Sequence, residues 1–357
     1  MSSVILVHHR LHNQHLIGLL FKAPDEVVRW FGAVQAQDYL GSLWAIGMRT
    51  QNATEPAVER AVAERKIVRT WPMRSTLHFV PAEDVRWMLR LLTPRVLARS
   101  QTRYRQLELD DAVFTRSRRI FEKTLRDRKC LSRGAIYKVL HEAGISTAES
   151  RGLHILGRLA QDGLICFGPR EGKQPTFVLL DEWVPTGKEM DREAALAELA
   201  RRYFRSHGPA TVHDFAWWSG LTVADVRAGI ALAKSILTED RINGQGYWLP
   251  LSATIKSHSR STAHLLPAFD EYTVAYKDRS MLVDPACLKL PDPVRSIMGP
   301  AILINGKLFG TWKRTFDNKS VVLSPVLFAR LNPREQRALD NTAQEYGRFL
   351  GLPAVMK

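Results

Sequence analysis

Ser132-Arg133-Gly134-Ala135-Ile136-Tyr137-Lys138-Val139-Leu140-His141-Glu142-Ala143-Gly144 reads as a helix with its own start and stop. Ser132 is a good N-cap, Ile136, Val139 and Leu140 share a face, and Gly144 ends the run. Residues 116–128 read as a helix before it, and Leu153, Leu156 and Leu159 mark one after it that stops at Gly163. Strands at 164–167 and 176–180 then flank Gly168-Pro169-Arg170-Glu171-Gly172-Lys173, a turn-rich wing with basic tips. Helices followed by a hairpin are the plan of a winged helix-turn-helix, whose second or third helix is available to a DNA groove.

The plan repeats on both sides. Downstream, residues 191–250 hold a helix ending at Gly208-Pro209, two more capped by Thr211 and Thr222, and a short hairpin turned by Asn243-Gly244-Gln245-Gly246. Upstream, residues 24–80 form a less regular copy. Val27, Trp30, Phe31 and Val34 follow the i, i+3, i+4, i+7 rule, which predicts a helix over 24–34. Helices at 43–49 and 55–65 and a hairpin of 67–71 with 73–80 follow, and 84–105 reads as one basic connecting helix. After residue 261 the pattern changes to short strands with turn signals at Asn305-Gly306 and Asp317-Asn318, then a closing helix over 333–350. The expected fold class is mainly α with β (α+β): three tandem winged helix-turn-helix modules plus a C-terminal antiparallel β-barrel-like domain. The expected divisions are 1–83, 84–115 (the connecting helix), 116–185, 186–255 and 256–357.

Composition sets the partner. In 357 residues, 51 Lys and Arg against 36 Asp and Glu leave a net charge of +15. Such an excess favours a polyanion, because each phosphate contacted releases condensed counterions; a merely basic, solvated surface is the plainer alternative. No apolar run approaches the roughly 18 residues of a membrane span. The apolar stretch at the start is too short, and lacks the preceding basic region, for a signal peptide. Cys130, Cys166 and Cys287 lie far apart without metal-binding spacing and read as core residues in a reducing cytoplasm.

The chemistry concentrates at Val34-Gln35-Ala36-Gln37-Asp38. Two residues apart on a helix means about 200° apart, so a shared site requires the helix to end there. Asp38-Tyr39-Leu40-Gly41-Ser42 reads as that exit, with Gly41 as terminator. A glutamine amide transfers no proton but orients a water or a sugar oxygen, which suits a reaction whose leaving group is already activated. An N7-alkylated purine is such a group, since its positive charge weakens the glycosidic bond. The plain alternative is a pair of polar residues capping a helix end.

Other candidates are scattered. On the strand after the first hairpin turn, Arg74, Thr76 and His78 alternate with Ser75, Leu77 and Phe79, giving one polar face able to reach phosphate or a lesion. Asp270 and Glu271, with Asp38, are possible lesion-pocket acids, although pairing of Asp270 and Glu271 with Lys277 or Arg279 is the commoner use. Trp312 could stack on DNA or sit in the barrel; the core is the favoured place for it and the surface for its neighbours Lys313 and Arg314. Arg95, Arg99, Arg103, Arg105, Arg116, Arg118, Arg119, Arg201 and Arg202 recur near helix ends, where phosphate contacts are made. The DNA-contacting set is expected to include Arg74, Thr76, His78, Arg103, Lys277, Arg279, Lys313 and Arg314. Phosphate-loop, HExxH, deaminase and G-x-S-x-G signatures are absent, and nothing in the sequence orients Ser259, Ser261 and His264 as a triad.

Taken together, Gln35-Ala36-Gln37-Asp38, the run from Thr70-Trp71-Pro72-Met73 to Leu77-His78, Leu265-Leu266-Pro267-Ala268-Phe269-Asp270-Glu271-Tyr272 and Gly310-Thr311-Trp312-Lys313-Arg314 resemble the bacterial winged-helix DNA glycosylases of the AlkZ/YcaQ type, in order and over nearly the whole chain. The resemblance implies tandem winged helices and a β-barrel forming a concave DNA-binding surface. It implies excision of N7-alkylguanine without metal or cofactor, and for some members unhooking of interstrand crosslinks. Gln35 and Gln37 match the Gln-x-Gln form of the family's catalytic motif, which would make them the water-positioning and transition-state-stabilising pair. In the Gln-x-Asp form an acid could serve as base; here Asp38 is one position out of register, so the proton acceptor stays open. The expected partner is double-stranded DNA with alkylated or crosslinked bases, met by a cytoplasmic, nucleoid-associated monomer without membrane contact. A winged-helix transcription regulator is the alternative, against which stand the three modules in one chain and the lack of a heptad seam for dimerisation.

Overall fold

A computed structural model describes residues 3–184, 187–242, 244–251, 261–283, 298–317 and 319–357. Asn243, Asn318, Ser259 and Cys287, named above in turns, a serine–histidine cluster and the cysteine set, lie outside these residues. The fold is mixed α/β, and the chain folds into two compact units: Met1–Val58 with Leu196–Trp218 and Thr222–Lys357, and Glu59–Ala195 with Ser219–Leu221.

In the second unit the middle segment follows its local signals. Ser132 accepts from the Ala135 N–H and caps helix Arg133–Glu142, Gly144 (φ 72°) ends it, and Gly163 (φ 76°) ends helix Arg151–Gln161. Strands Ile165–Phe167 and Thr176–Leu179 pair antiparallel, and the second pairs with Leu131–Ser132. Leu140, Ile155, Leu156, Leu159, Ile165 and Phe177 form the core between them. Leu153 does not join it and is 48% exposed. Three-residue steps drift by about 60° each against the 3.6-residue turn, so the buried stripe passes instead through Ile155, Leu156 and Leu159. The preceding helix is Asp111–Thr124, capped by Asp110.

The hairpin before it differs from expectation. Strand Ile67–Met73 runs straight through Pro72, and the turn is Arg74-Ser75, both at positive φ (54° and 62°), leading into Thr76–Pro81. A register shift between Thr70 and Met73 accommodates the proline, which has no N–H to give the ladder. Arg74 is therefore a turn residue, not a strand residue, and the polar face vanishes: His78 is fully buried, as are Leu77 and Phe79. The connecting helix is Val85–Gln106.

In the first unit, helix Pro24–Phe31 stops earlier than its apolar periodicity predicts. Gly32 takes φ 80° and its N–H closes on Val28 O at 2.9 Å, so Val34 falls in a short strand, Val34–Gln35. Asp38 then accepts from the Gly41 N–H and caps helix Tyr39–Gly47. Residues 38–42 are thus a helix entrance and not an exit; the short acid that marks a boundary marks the N-terminal kind. Thr211 and Asp214 cap helix Val212–Ser219 reciprocally, and Thr222 caps helix Val223–Leu232 through the Asp225 N–H. Helix Ser3–Asn13, unforeseen in the sequence, buries Leu6, Val7 and Leu11 in this unit.

Among the described residues the C-terminal sheet has five strands and two edges. Strands Ala263–Leu266, Ala301–Ile304, Lys307–Phe316 and Val321–Leu327 run antiparallel in that order, and Ala354–Met356 adds a parallel edge to the last. The sheet described is half of the expected barrel-like domain. Helix Pro333–Leu350 reaches both edge strands: Thr342 Oγ1 donates to Ala263 O at 2.8 Å on one and Gln344 Nε2 to Ala354 O at 3.2 Å on the other. Trp312 lies in the core beneath, its indole N–H on Leu266 O at 2.8 Å.

Candidate active site

The Gln-x-Gln stretch joins helix Pro24–Phe31 to helix Tyr39–Gly47 in non-helical backbone. Gln35 and Ala36 are buried, and the bend that follows leaves Gln37 exposed. Leaving the helix removes the fixed separation of about 200° that two residues apart would have on it. Two cuts in the helical pattern produce this geometry, Gly32 behind and the Asp38 cap ahead.

The Gln35 backbone N–H donates to Glu271 Oε1 at 2.8 Å. Glu271 is 1% exposed, and its other oxygen accepts from Trp218 Nε1 at 2.9 Å and lies 3.1 Å from His207 Nε2. Facing a carboxylate, Nε2 carries a hydrogen. His207 is fully buried, with Nδ1 2.8 Å from Ser206 Oγ, and its ring meets Phe31 edge-on at 5.2 Å. Four segments converge here: the glutamine strand, the end of helix Arg192–His207, helix Val212–Ser219 and the turn of helix Glu271–Val274.

Asp270 faces elsewhere. Arg49 grips it with both terminal nitrogens, each at 2.8 Å, while donating to Gln14 O at 2.9 Å and Ala45 O at 2.7 Å, and Asp270 also caps the Tyr272 N–H. Both partners are buried, so removing either member leaves an uncompensated buried charge at a cost of about 3–5 kcal/mol. The expected pairing of these acids with Lys277 or Arg279 is not what forms. The Lys277 backbone N–H donates to Asp214, and Arg279 Nε donates to Thr273 O while its guanidinium lies over Trp217, 5.3 Å from the ring centroid. Short-range proximity in sequence lost to partners more than 200 residues away that could be buried with the acids. Among the described residues no cluster of three or more His, Cys, Asp or Glu is arranged to hold a metal ion.

The sequence model of the AlkZ-like DNA glycosylases matches residues 28–349, a span that holds both glutamines, His207, Trp218 and Glu271. The chain belongs to the AlkZ-like DNA glycosylase family. An interstrand DNA cross-link repair glycosylase of Streptomyces sahachiroi is 24% identical over 350 residues, covering 88% of each chain. The solved structure of the DNA glycosylase AlkZ from the same organism superposes with a TM-score of 0.81 over the full length of both chains at 21% identity, a likeness of fold.

The second unit of this AlkZ-like chain carries Arg74, Thr76 and His78. His78 Nδ1 lies 3.0 Å from Thr76 O, and Nε2 lies 3.4 Å from Arg74 Nη2. Arg74 and His78 thus touch each other, with the histidine inside and the arginine partly covered. Arg95, Arg99 and Arg103 are exposed along helix Val85–Gln106, with Arg103 bonded to Gln106 and Ser150. Several other basic residues are engaged: Arg118 with Asp162, Arg201 and Arg202 with Glu198, and Arg116 on the Ala143 carbonyl. In the first unit Lys313 is exposed, whereas Arg314 is bonded to the Tyr346 hydroxyl.

Sequence reading missed His207, Trp218 and Arg49. For Arg49 a signal existed: an arginine closing the wholly apolar run Leu43-Trp44-Ala45-Ile46-Gly47-Met48 must find a buried carboxylate or leave the core. His207 and Trp218 had none, since a histidine at a helix end and a tryptophan on a short amphipathic helix are ordinary core residues.

Proposed function

We propose that this chain is a monofunctional DNA glycosylase that hydrolyses the N-glycosidic bond of N7-alkylated purines, including those at interstrand crosslinks, and leaves an abasic site. The observation that carries this reading is the Gln35–Gln37 stretch: non-helical backbone held between two capped helices, one glutamine covered and the next exposed, in a chain of a glycosylase family. A cationic N7-alkylguanine departs without protonation. The enzyme must then orient water beneath an oxocarbenium-like sugar and stabilise its charge, work that amide dipoles perform when fixed in advance. Gln35 and Gln37 are the residues proposed for it.

Duplex DNA would lie across three winged-helix modules, with Arg74, Thr76, Arg103, Lys277, Arg279, Lys313 and Arg314 supplying contacts. His78, being buried, would act through Arg74. Asp38 and Asp270 have structural duties as helix cap and arginine partner, which argues against a place for either in a lesion pocket. A crosslinked base cannot be fully extruded, so an open cleft suits the substrate better than a tight pocket. The reading carries with it a monomeric, cytoplasmic enzyme working without metal or cofactor.

The test is release of N7-methylguanine, and unhooking of a nitrogen-mustard crosslink, from labelled duplex by the wild type and by the double variant Gln35→Ala with Gln37→Ala. Release that disappears in the variant while DNA affinity stays intact is the expected result. No release from either substrate, together with tight binding to one undamaged sequence, would replace the enzyme by a transcription regulator.

A further inference from the structure

Glu271 takes no part in the chemistry described above, yet it is the carboxylate that meets the backbone of the glutamine strand. It is 1% exposed and receives the Gln35 backbone N–H, the Trp218 indole N–H and the His207 imidazole. A buried carboxyl group of this kind is tolerated because each oxygen meets a partner. A carboxylate so occupied is a poor base for an incoming water and a poor neighbour for a bulky lesion. It is well placed to hold a backbone.

We infer that Glu271, oriented by His207 and Trp218, is a positioning residue that fixes the backbone of Gln35 and thereby the aim of its amide. The inference rests on the glycosylase reading and deepens it. Gln35 sits where a helix has just been broken by Gly32 and the next has not begun, so intrahelical hydrogen bonds do not hold its N–H. The Gln35 N–H is held instead by a buried carboxyl oxygen at 2.8 Å. That acceptor is in turn fixed from two sides. Trp218 is fully buried and lies against Tyr203 and His207, with ring centroids 5.1 and 5.3 Å away, and His207 stacks on Tyr203 at 4.8 Å with planes 16° apart. The Tyr203 hydroxyl donates to Ala275 O at 2.9 Å, which returns the network to the segment that carries Glu271. The segments that carry His207, Trp218 and Glu271 thus meet the glutamine strand at one carboxylate.

Single-turnover base release and DNA affinity, measured on the full chain with N7-methylguanine duplex, separate positioning from folding. Glu271→Ala is expected to lower the rate about 100-fold with lesion-duplex Kd changed less than about threefold, the scale of loss from an ångström of misplacement. Glu271→Gln retains an oxygen for the Gln35 N–H and is expected to recover most of that loss. Trp218→Phe keeps the ring and removes one donor, and a loss of about tenfold is expected. Trp312→Phe, which deletes an indole bond to the Leu266 carbonyl in the same unit, serves as control and should leave the rate unchanged. If Glu271→Ala does not fold, Trp218→Phe against Trp312→Phe decides. Equal rates in those two variants, or a folded Glu271→Ala at wild-type rate, would overturn the inference. If the wild type releases base and the Gln35/Gln37 double variant does not, that failure belongs to Glu271 alone; a silent wild type removes the glycosylase reading itself.

Discussion

His264 shows what burial does to a single titrating group in this chain. It lies on the edge strand Ala263–Leu266, buried, and burial together with the nearby Arg49 charge lowers its pKa from 6.5 to about 4. Depression of the folded-state value means the unfolded chain binds the proton more readily between those two values. Stability is therefore complete above about pH 6.5 and is lost as pH falls toward 4, by about 3 kcal/mol at most for a shift of this size. Urea unfolding at pH 7, 5.5 and 4.5 should show that loss, and His264→Leu should flatten it. His9, His15 and His154 are shifted the same way, each chiefly by burial, so the variant keeps some residual slope. An unchanged slope in His264→Leu would mean the proton is taken up elsewhere. Thiols follow the same rule in the opposite sense: burial raises the pKa of both Cys166 and Cys130, which favours their protonated form.

At the scale of elements, the local signals that held are those whose hydrogen bonds close within three or four residues. Asn332 accepts from the Arg334 and Glu335 N–H groups while Glu335 reaches back to the Asn332 N–H, and helix Pro333–Leu350 starts and stops where its sequence says. Asn332→Ala is expected to cost about 1 kcal/mol of unfolding free energy, measured by chemical denaturation. The same substitution at Ser132, which caps helix Arg133–Glu142, should cost a similar amount. Signals based on periodicity alone fared worse. Val34 continued the apolar stripe of Pro24–Phe31 but is strand, because one glycine at φ 80° outweighs one more apolar contact. Pro72 looked like a turn and is within a strand, because the Arg74-Ser75 pair adopts the double positive-φ turn that matches strand twist.

For the whole molecule the governing quantity is charge. A net charge of +15 over 357 residues, with Arg95, Arg99 and Arg103 exposed along one helix, predicts steep salt dependence of binding to duplex DNA. Anisotropy titrations at 50 and 200 mM salt should show affinity for undamaged duplex falling at least about 100-fold, and by the same factor for unrelated sequences. A shallow slope, or strong preference for one sequence, would fit a regulator better than a repair enzyme. No helix among the described residues is long and apolar enough to cross a membrane.

The caps at Ser132 and Thr222, the stops at Gly144 and Gly163, the extent of helix Pro333–Leu350, the basic charge and the Gln35/Gln37 motif with its family resemblance were legible in the sequence alone. Each is a property of neighbouring residues or of a sum over the chain. Tertiary structure alone decided which of two adjacent acids meets Gln35 and which meets Arg49, that His78 is buried beneath Arg74, and that a helix reaches both edge strands of the C-terminal sheet. Those outcomes join residues as far apart as Gln35 and Glu271, 236 positions along the chain. No local preference encodes such a pairing. It follows from the requirement that every charge removed from water find a partner removed with it.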